Sequence, residues 1–217
     1  MTRASRLCVA LALFLSTLAC LCFGQSNKPV QRPEVRPGDS WTYLRIDYYT
    51  KQPERALHET VVFANERAIQ TLTTRRRDNV EIDATYTADW NVVSARNDRV
   101  FNPDQGLFKF PLSPGDTYES QYTMKDPRQG AFESRNRRRV KVVGWEEVSV
   151  PAGTFSALRI ESEGTFDRVD KAFSGTARET AWYVPEVKRY VKYTFQNWSN
   201  KGRISWWGLE LVGYNVQ

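Results

Sequence analysis

The chain is 217 residues long, carries a formal net charge of +6 and is 41% hydrophobic, with one histidine and three cysteines. That length can bury a core without covalent staples. Cys8, Cys20 and Cys22 all fall within the first 24 residues, so the rest has no thiol, no disulfide and no cysteine metal site, and the lone His58 lacks the partners that a zinc site or a nucleophilic triad needs.

Met1 to Gly24 has the layout of a secretory signal peptide. A basic start at Arg3 and Arg6 leads into an apolar run from Leu7 to Leu21, too short for an ordinary membrane span, and the small residues Cys22 and Gly24 precede a cut before Gln25. The weaker alternative is a lipoprotein cut before Cys20, because Thr17 stands where an aliphatic residue is wanted. Either cut implies an exported protein, periplasmic or envelope-associated. About 193 residues then remain with a charge near +4, a balance that suits an anionic envelope and equally suits ordinary solubility.

Residues 25–36 are polar and proline-rich and read as an extended linker. The β-rich domain then occupies 37–217. Pro37-Gly38-Asp39 makes a turn, and Trp41 to Thr50 follows as a strand with Leu44, Ile46 and Tyr48 on one face. Leu57 to Phe63 and Ala68 to Thr74 form a hairpin across Ala64 to Arg67. Val80 to Asp89 alternates strictly: Val80, Ile82, Ala84, Tyr86 and Ala88 share one face and the polar residues take the other, as in an antiparallel strand with one buried side.

Asn102 to Gly106 interrupts the strands, and Pro114-Gly115-Asp116 then repeats the earlier Pro-Gly-Asp turn about 77 residues on. This divides the domain into two similar halves, 37–105 and 112–217. Tyr118 to Lys125 alternates again. In Ala131 to Val143, Arg135, Arg137, Arg139 and Lys141 share a face, while Val140 and Val142 point the other way. Val143 and Trp145 break that phase, which predicts a bulge beside Gly144 that turns Trp145 inward.

Val140 to Glu163 is a hairpin folded at Pro151-Ala152-Gly153, where proline presets φ and glycine supplies the left-handed position. Phe155 to Gly164, Ala177 to Val184, Val187 to Asn197 and Ile204 to Val216 complete the strands. No stretch keeps a capped 3.6-residue period, so helix is scarce. The class is all-β: antiparallel meander sheets forming a curved sheet, a half-barrel or a sandwich.

The runs VSVPAGTFSALRIE at 148–161, TAWYVPEVKRYVKY at 180–193 and ELVGY at 210–214 resemble the TapB-like group of exported bacterial β-proteins of unknown function. The resemblance covers the last third of the chain and implies the fold and the export, with no catalytic set. It also implies a glycine after Pro185-Glu186-Val187, where this chain has Lys188 and Arg189.

No phosphate loop, dinucleotide fingerprint or nucleophile elbow is present. Glu161 and Glu163 stand near the basic row in the hairpin register, where cross-strand pairing with arginine explains them better than a glycosidase pair. The residue types therefore point to a noncatalytic protein without metal or cofactor. Candidate ligand contacts are the cationic row Arg135, Arg137, Arg139 and Lys141 together with the aromatic residues Trp182, Trp206 and Trp207. Trp206 and Trp207 must face opposite sides of their strand. A lipid or an anionic envelope polymer fits such a surface. The alternative is a structural module that docks another envelope protein through sheet edges or aromatics, with no small ligand. Nucleic acid is set aside, since export removes it and no recognition motif accompanies the arginines.

Overall fold

The computed structural model describes residues 28–75, 80–95, 98–127 and 132–217. The export signal read at 1–24, with its cut sites and Cys20, lies outside them. The first half of the domain contributes β1 (Ser40–Asp47), β2 (Gln52–Ala64), β3 (Ala68–Arg75), β4 (Glu81–Thr87), β5 (Val92–Ala95) and β6 (Arg99–Asn102). The second contributes β7 (Thr117–Asp126), β8 (Phe132–Val150), β9 (Gly153–Arg168), β10 (Ser174–Val184), β11 (Arg189–Ser199) and β12 (Gly202–Asn215). Among the described residues the sole helical element is a 3-10 turn at Pro185–Val187.

Each strand pairs antiparallel with its neighbours in sequence, and β1 pairs with both β2 and β12, closing an up-and-down barrel. Closure gives every strand of this sheet a neighbour on both sides. The halves expected at 37–105 and 112–217 share this one sheet, joined where β6 pairs with β7.

The Pro-Gly-Asp turns are true structural repeats. Gly38 and Gly115 have φ of 94° and 93°, the left-handed position that a glycine takes without cost. Asp39 and Asp116 each accept a backbone N–H three residues upstream, from Arg36 at 3.0 Å and from Ser113 at 2.8 Å. Each turn then exchanges two backbone hydrogen bonds with one valine, Val61 on β2 or Val142 on β8. Just beyond each valine the pairing register slips, at Val61/Phe63 and at Val142/Gly144. Gly144, at φ 152°, occupies the second bulge, and Trp145 beyond it packs against the core as its phase change predicts.

Between the bulges, inward and outward residues alternate along the strands, as closure demands. Around the lower end, where β1 begins, the inside is packed solid by Trp41, Tyr43, Val61, Ile69, Val140, Val142, Leu158, Ile160 and Leu211. The 103–116 loop contributes Leu107, Phe108, Phe110 and Leu112 to that core. Asn91 pins it, donating to the Phe108 carbonyl at 2.7 Å and accepting from the Phe108 N–H at 2.8 Å. The β8–β9 hairpin turns at Pro151-Ala152-Gly153, and Ala152 N–H reaches the Leu211 carbonyl at 2.9 Å, folding its tip onto β12.

Some expectations change. The apolar residues Leu44 and Ile46 do share a face of β1, but it is the outer one; Trp41 and Tyr43 take the inside because their larger surface closes the barrel end. The described part of the proposed linker, from Lys28 onward, is tied down. Val30 is buried and exchanges hydrogen bonds of 2.8 and 2.9 Å with Leu112. Strands β5 and β6 have no counterpart in the sequence reading, because four residues are too few to show a period.

Candidate functional site

The seven residues proposed as ligand contacts do not converge. Arg135, Arg137, Arg139 and Lys141 form an exposed row on the outer face of β8. Opposite them on β9 stand Asp167, Thr165, Glu163 and Glu161. Glu163 pairs with Arg178 at 2.9 Å and Glu161 with Arg159 at 3.4 Å, so these carboxylates are held by arginines of β9 and β10. Trp182 lies on the outer face of β10, its indole N–H donating to Glu146 at 2.5 Å. Trp206 is also outside, against Tyr48 and beside Arg203. Trp207 alone points inward, with Tyr193 and Phe195 at 5.5 and 5.6 Å and Arg45 at 4.9 Å over its ring. His58 is exposed on the outer wall, 3.0 Å from Thr42 Oγ1.

The charged residues that matter most are inside, in positions that alternation reserves for apolar side chains. Arg138 is in phase with Val140 and Val142, and Glu179 with Ala181 and Tyr183. Arg138 Nη2 donates to Glu179 at 2.7 Å and to Tyr122 Oη at 3.0 Å, and Tyr193 Oη donates to the other Glu179 oxygen at 2.8 Å. Both charged side chains are 5% exposed. Burial alone would pull the Arg138 guanidinium down, but Glu179 and the neighbouring phenols outweigh it and keep the arginine charged.

A second set sits lower in the barrel. Arg189 Nη1 lies 3.0 Å from Glu59 Oε1, an ion contact and not an aligned hydrogen bond, since Nη1 has no hydrogen-bond partner among the described residues. Glu59 is instead satisfied by Thr71 at 2.9 Å and Tyr86 at 3.1 Å. The guanidinium is stacked 4.1 Å from the Trp90 ring and 5.3 Å from Trp41, a cation caged by aromatic faces.

Above these sets, toward the end carrying the β1–β2 turn, the inward side chains are only half-buried: Arg45, Arg55, Leu57, Asn136, Phe166, Phe195 and Trp207. Arg45 pairs with Glu54. Arg55 keeps a buried Nε with no hydrogen-bond partner among the described residues, and Arg138 keeps both Nε and Nη1 in that condition. Beside Arg138 lies a cavity of 20 Å³ bounded by Tyr122, Asn136, Ser162 and Glu179, space for one water. The upper interior of the barrel is therefore a cup of half-buried side chains, with aromatic walls and arginine N–H groups that find no hydrogen-bond partner among the described residues. Among the described residues no three His, Cys, Asp or Glu side chains converge as metal ligands.

Two solved structures share the fold. A candidate exported protein with a YmcC-like fold from Bacteroides fragilis matches with a TM-score of 0.54 at 14% identity, over 87% of this chain and 100% of that one. A candidate lipoprotein from Parabacteroides distasonis matches with a TM-score of 0.50 at 11% identity, over the same shares of each chain. No family model matches the chain, and no curated protein matches it.

Proposed function

We propose that this is an exported, noncatalytic envelope protein that holds an amphipathic anion in the upper cup of its barrel. The observation that carries the reading is the set of inward guanidinium N–H groups on Arg55 and Arg138 that have no hydrogen-bond partner among the described residues. A buried donor left unpaired costs about 1–3 kcal/mol, and an anionic headgroup would recover it with charge-assisted hydrogen bonds. Phe195, Trp207 and Leu57 offer an apolar wall for the remainder of such a molecule.

Export rests on the leader layout of residues 1–24 and on the descriptions of the two proteins that share the fold. The TapB-like grouping belongs to the same proposal and rests on the strand and turn motifs in the last third of the chain. The noncatalytic reading rests on residue types, since the one histidine sits on the outer wall between threonines.

Calorimetric titration with dodecyl phosphate, dodecanol and inorganic phosphate tests the proposal. Dodecyl phosphate is expected to saturate one site, with Arg138→Gln weakening it at least ~10-fold, as loss of a charge-assisted bond requires. The partly exposed Arg55→Gln serves where Arg138→Gln disturbs the barrel. Charge reversal of the outer row, Arg137→Glu with Arg139→Glu, is expected to leave this binding unchanged. Absence of saturable dodecyl phosphate binding, or full affinity in the Arg55→Gln protein, sinks the reading.

A further inference from the structure

The lower end of the barrel carries a second pocket, remote from the cup. It has a volume of 370 Å³, within the range of small-molecule sites, and lies between the 28–33 segment and the aromatic residues Trp145 and Tyr183, with Pro185 beside them. Pro29, Val30 and Pro33 supply the facing wall. This wall is held in place: Val30 is bonded to Leu112, and Arg32 forms an ion pair with Asp89.

Two hydrogen-bond donors at this pocket are idle. Tyr183 is 1% exposed, and its hydroxyl is buried with no partner among the described residues. The Trp145 indole N–H is in the same state. Burial holds the Tyr183 phenol well above its ordinary pKa, so it remains a donor at neutral pH. Indole is a donor only and a phenol can donate, so one acceptor atom can satisfy both groups. Each unpaired group costs free energy that the fold accepts without visible return.

We propose that this pocket binds a neutral, largely apolar small molecule whose carbonyl or ether oxygen accepts from Tyr183 and Trp145. The prolines and aromatic rings pack against its body, and the 28–33 segment forms its outer wall. An acceptor without a charge suffices, because both donors are neutral, and of the two cations that line the pocket Arg32 is paired with Asp89 and Lys28 has an interaction of its own.

Nile red, an apolar planar dye with a carbonyl acceptor and no donor, is a suitable probe for the intact protein. Its emission is expected to shift to the blue with one-to-one saturation. Tyr183→Phe, which removes only the hydroxyl, is expected to weaken binding about 5–10-fold, and Trp145→Phe to a similar extent. Arg55→Gln, in the cup, is expected to leave Nile red binding unchanged, which separates this pocket from the site proposed above. Because the hydroxyl is unpaired in the free protein, Tyr183→Phe is also expected to hold or raise the thermal midpoint. The proposal is overturned if the dye shows no saturable binding, as when water alone meets the two donors. Equal affinity in the Tyr183→Phe protein, or loss of binding on Arg55→Gln, overturns it too.

Discussion

Arg189 and Glu59 meet across the inside of the barrel at 3.0 Å, with side-chain exposures of 4% and 9%, joining β11 to β2. These strands are not neighbours in the sheet, so the contact spans the lumen and not a strand pair. Removing one member of a buried pair strands the other charge, at a cost of about 3–5 kcal/mol. Glu59→Gln is accordingly expected to lower stability by about that amount. Glu59→Leu combined with Arg189→Met is expected to recover most of the loss, since an apolar pair of similar volume faces no desolvation. Urea midpoints of the single and double variants measure both; a double variant no better than the singles contradicts the account.

Asn91 presents its side-chain amide to both backbone groups of Phe108, and all the groups involved are buried. Asn91→Ala orphans a carbonyl and an N–H at once, with an expected loss of about 2–4 kcal/mol. Asn91→Asp keeps the acceptor but buries a carboxylate against the Phe108 carbonyl, so it should be no more stable than the alanine variant. Because Asn91 anchors the 103–116 loop against Trp90 and Tyr183, hydrogen exchange at Phe108 should accelerate in the alanine variant ahead of global unfolding.

Lys188 occupies the place where the sequence resemblance implies glycine, and it does take the conformation glycine favours, with φ 60°. What holds it there is Asp39, fully buried, 3.0 Å from the ammonium, with the Gln217 carbonyl at 2.6 Å. Lys188→Ala keeps the backbone strain and loses the ion pair. Lys188→Gly loses the pair but relieves strain of about 1 kcal/mol. Both should be less stable than the natural chain, with the glycine variant above the alanine variant. Equal midpoints for the two would show that the left-handed turn carries no cost.

Burial raises the phenol pKa of Tyr43, Tyr190 and Tyr193, and Glu179 adds to the effect at Tyr193. A folded pKa above the unfolded value means that the stability these groups contribute is complete below about pH 10, the ordinary tyrosine pKa. It is lost as pH rises from there toward the folded values. Each phenol that ionises only in the unfolded chain removes about 1.4 kcal/mol per pH unit. Thermal midpoints should therefore be insensitive to these tyrosines from pH 7 to about 9 and fall steeply above about 10. Tyr193→Phe should make that fall shallower, and an unchanged slope would contradict the linkage.

The outer basic row was legible because Arg135, Arg137, Arg139 and Lys141 sit at period two. The buried Arg138 was hidden among them, although the same periodicity put it in phase with Val140 and Val142. A charge in the apolar phase of a strand is the signal that could have found it. Glu179, in phase with Ala181 and Tyr183, carries the same signal, but its pairing with Arg138 could not be read, since the two are 41 residues apart and meet only where β8 and β10 curve around the same lumen. Trp206 and Trp207 were correctly separated onto opposite faces by adjacency alone, but which one entered the barrel depended on the register with Phe195 and Asp47.

The linear order of residues determined by itself the strands other than β5 and β6, the Pro-Gly-Asp repeat, the hairpin at Pro151-Ala152-Gly153 and the bulge at Gly144. Each of these follows from local alternation or from the backbone freedom of one or two residues. Tertiary structure alone decided that β1 closes on β12, that Val30 is stapled to Leu112, and that buried arginines meet their carboxylates inside. Those outcomes depend on sheet curvature and on contacts between distant strands, which the period of a single strand does not encode.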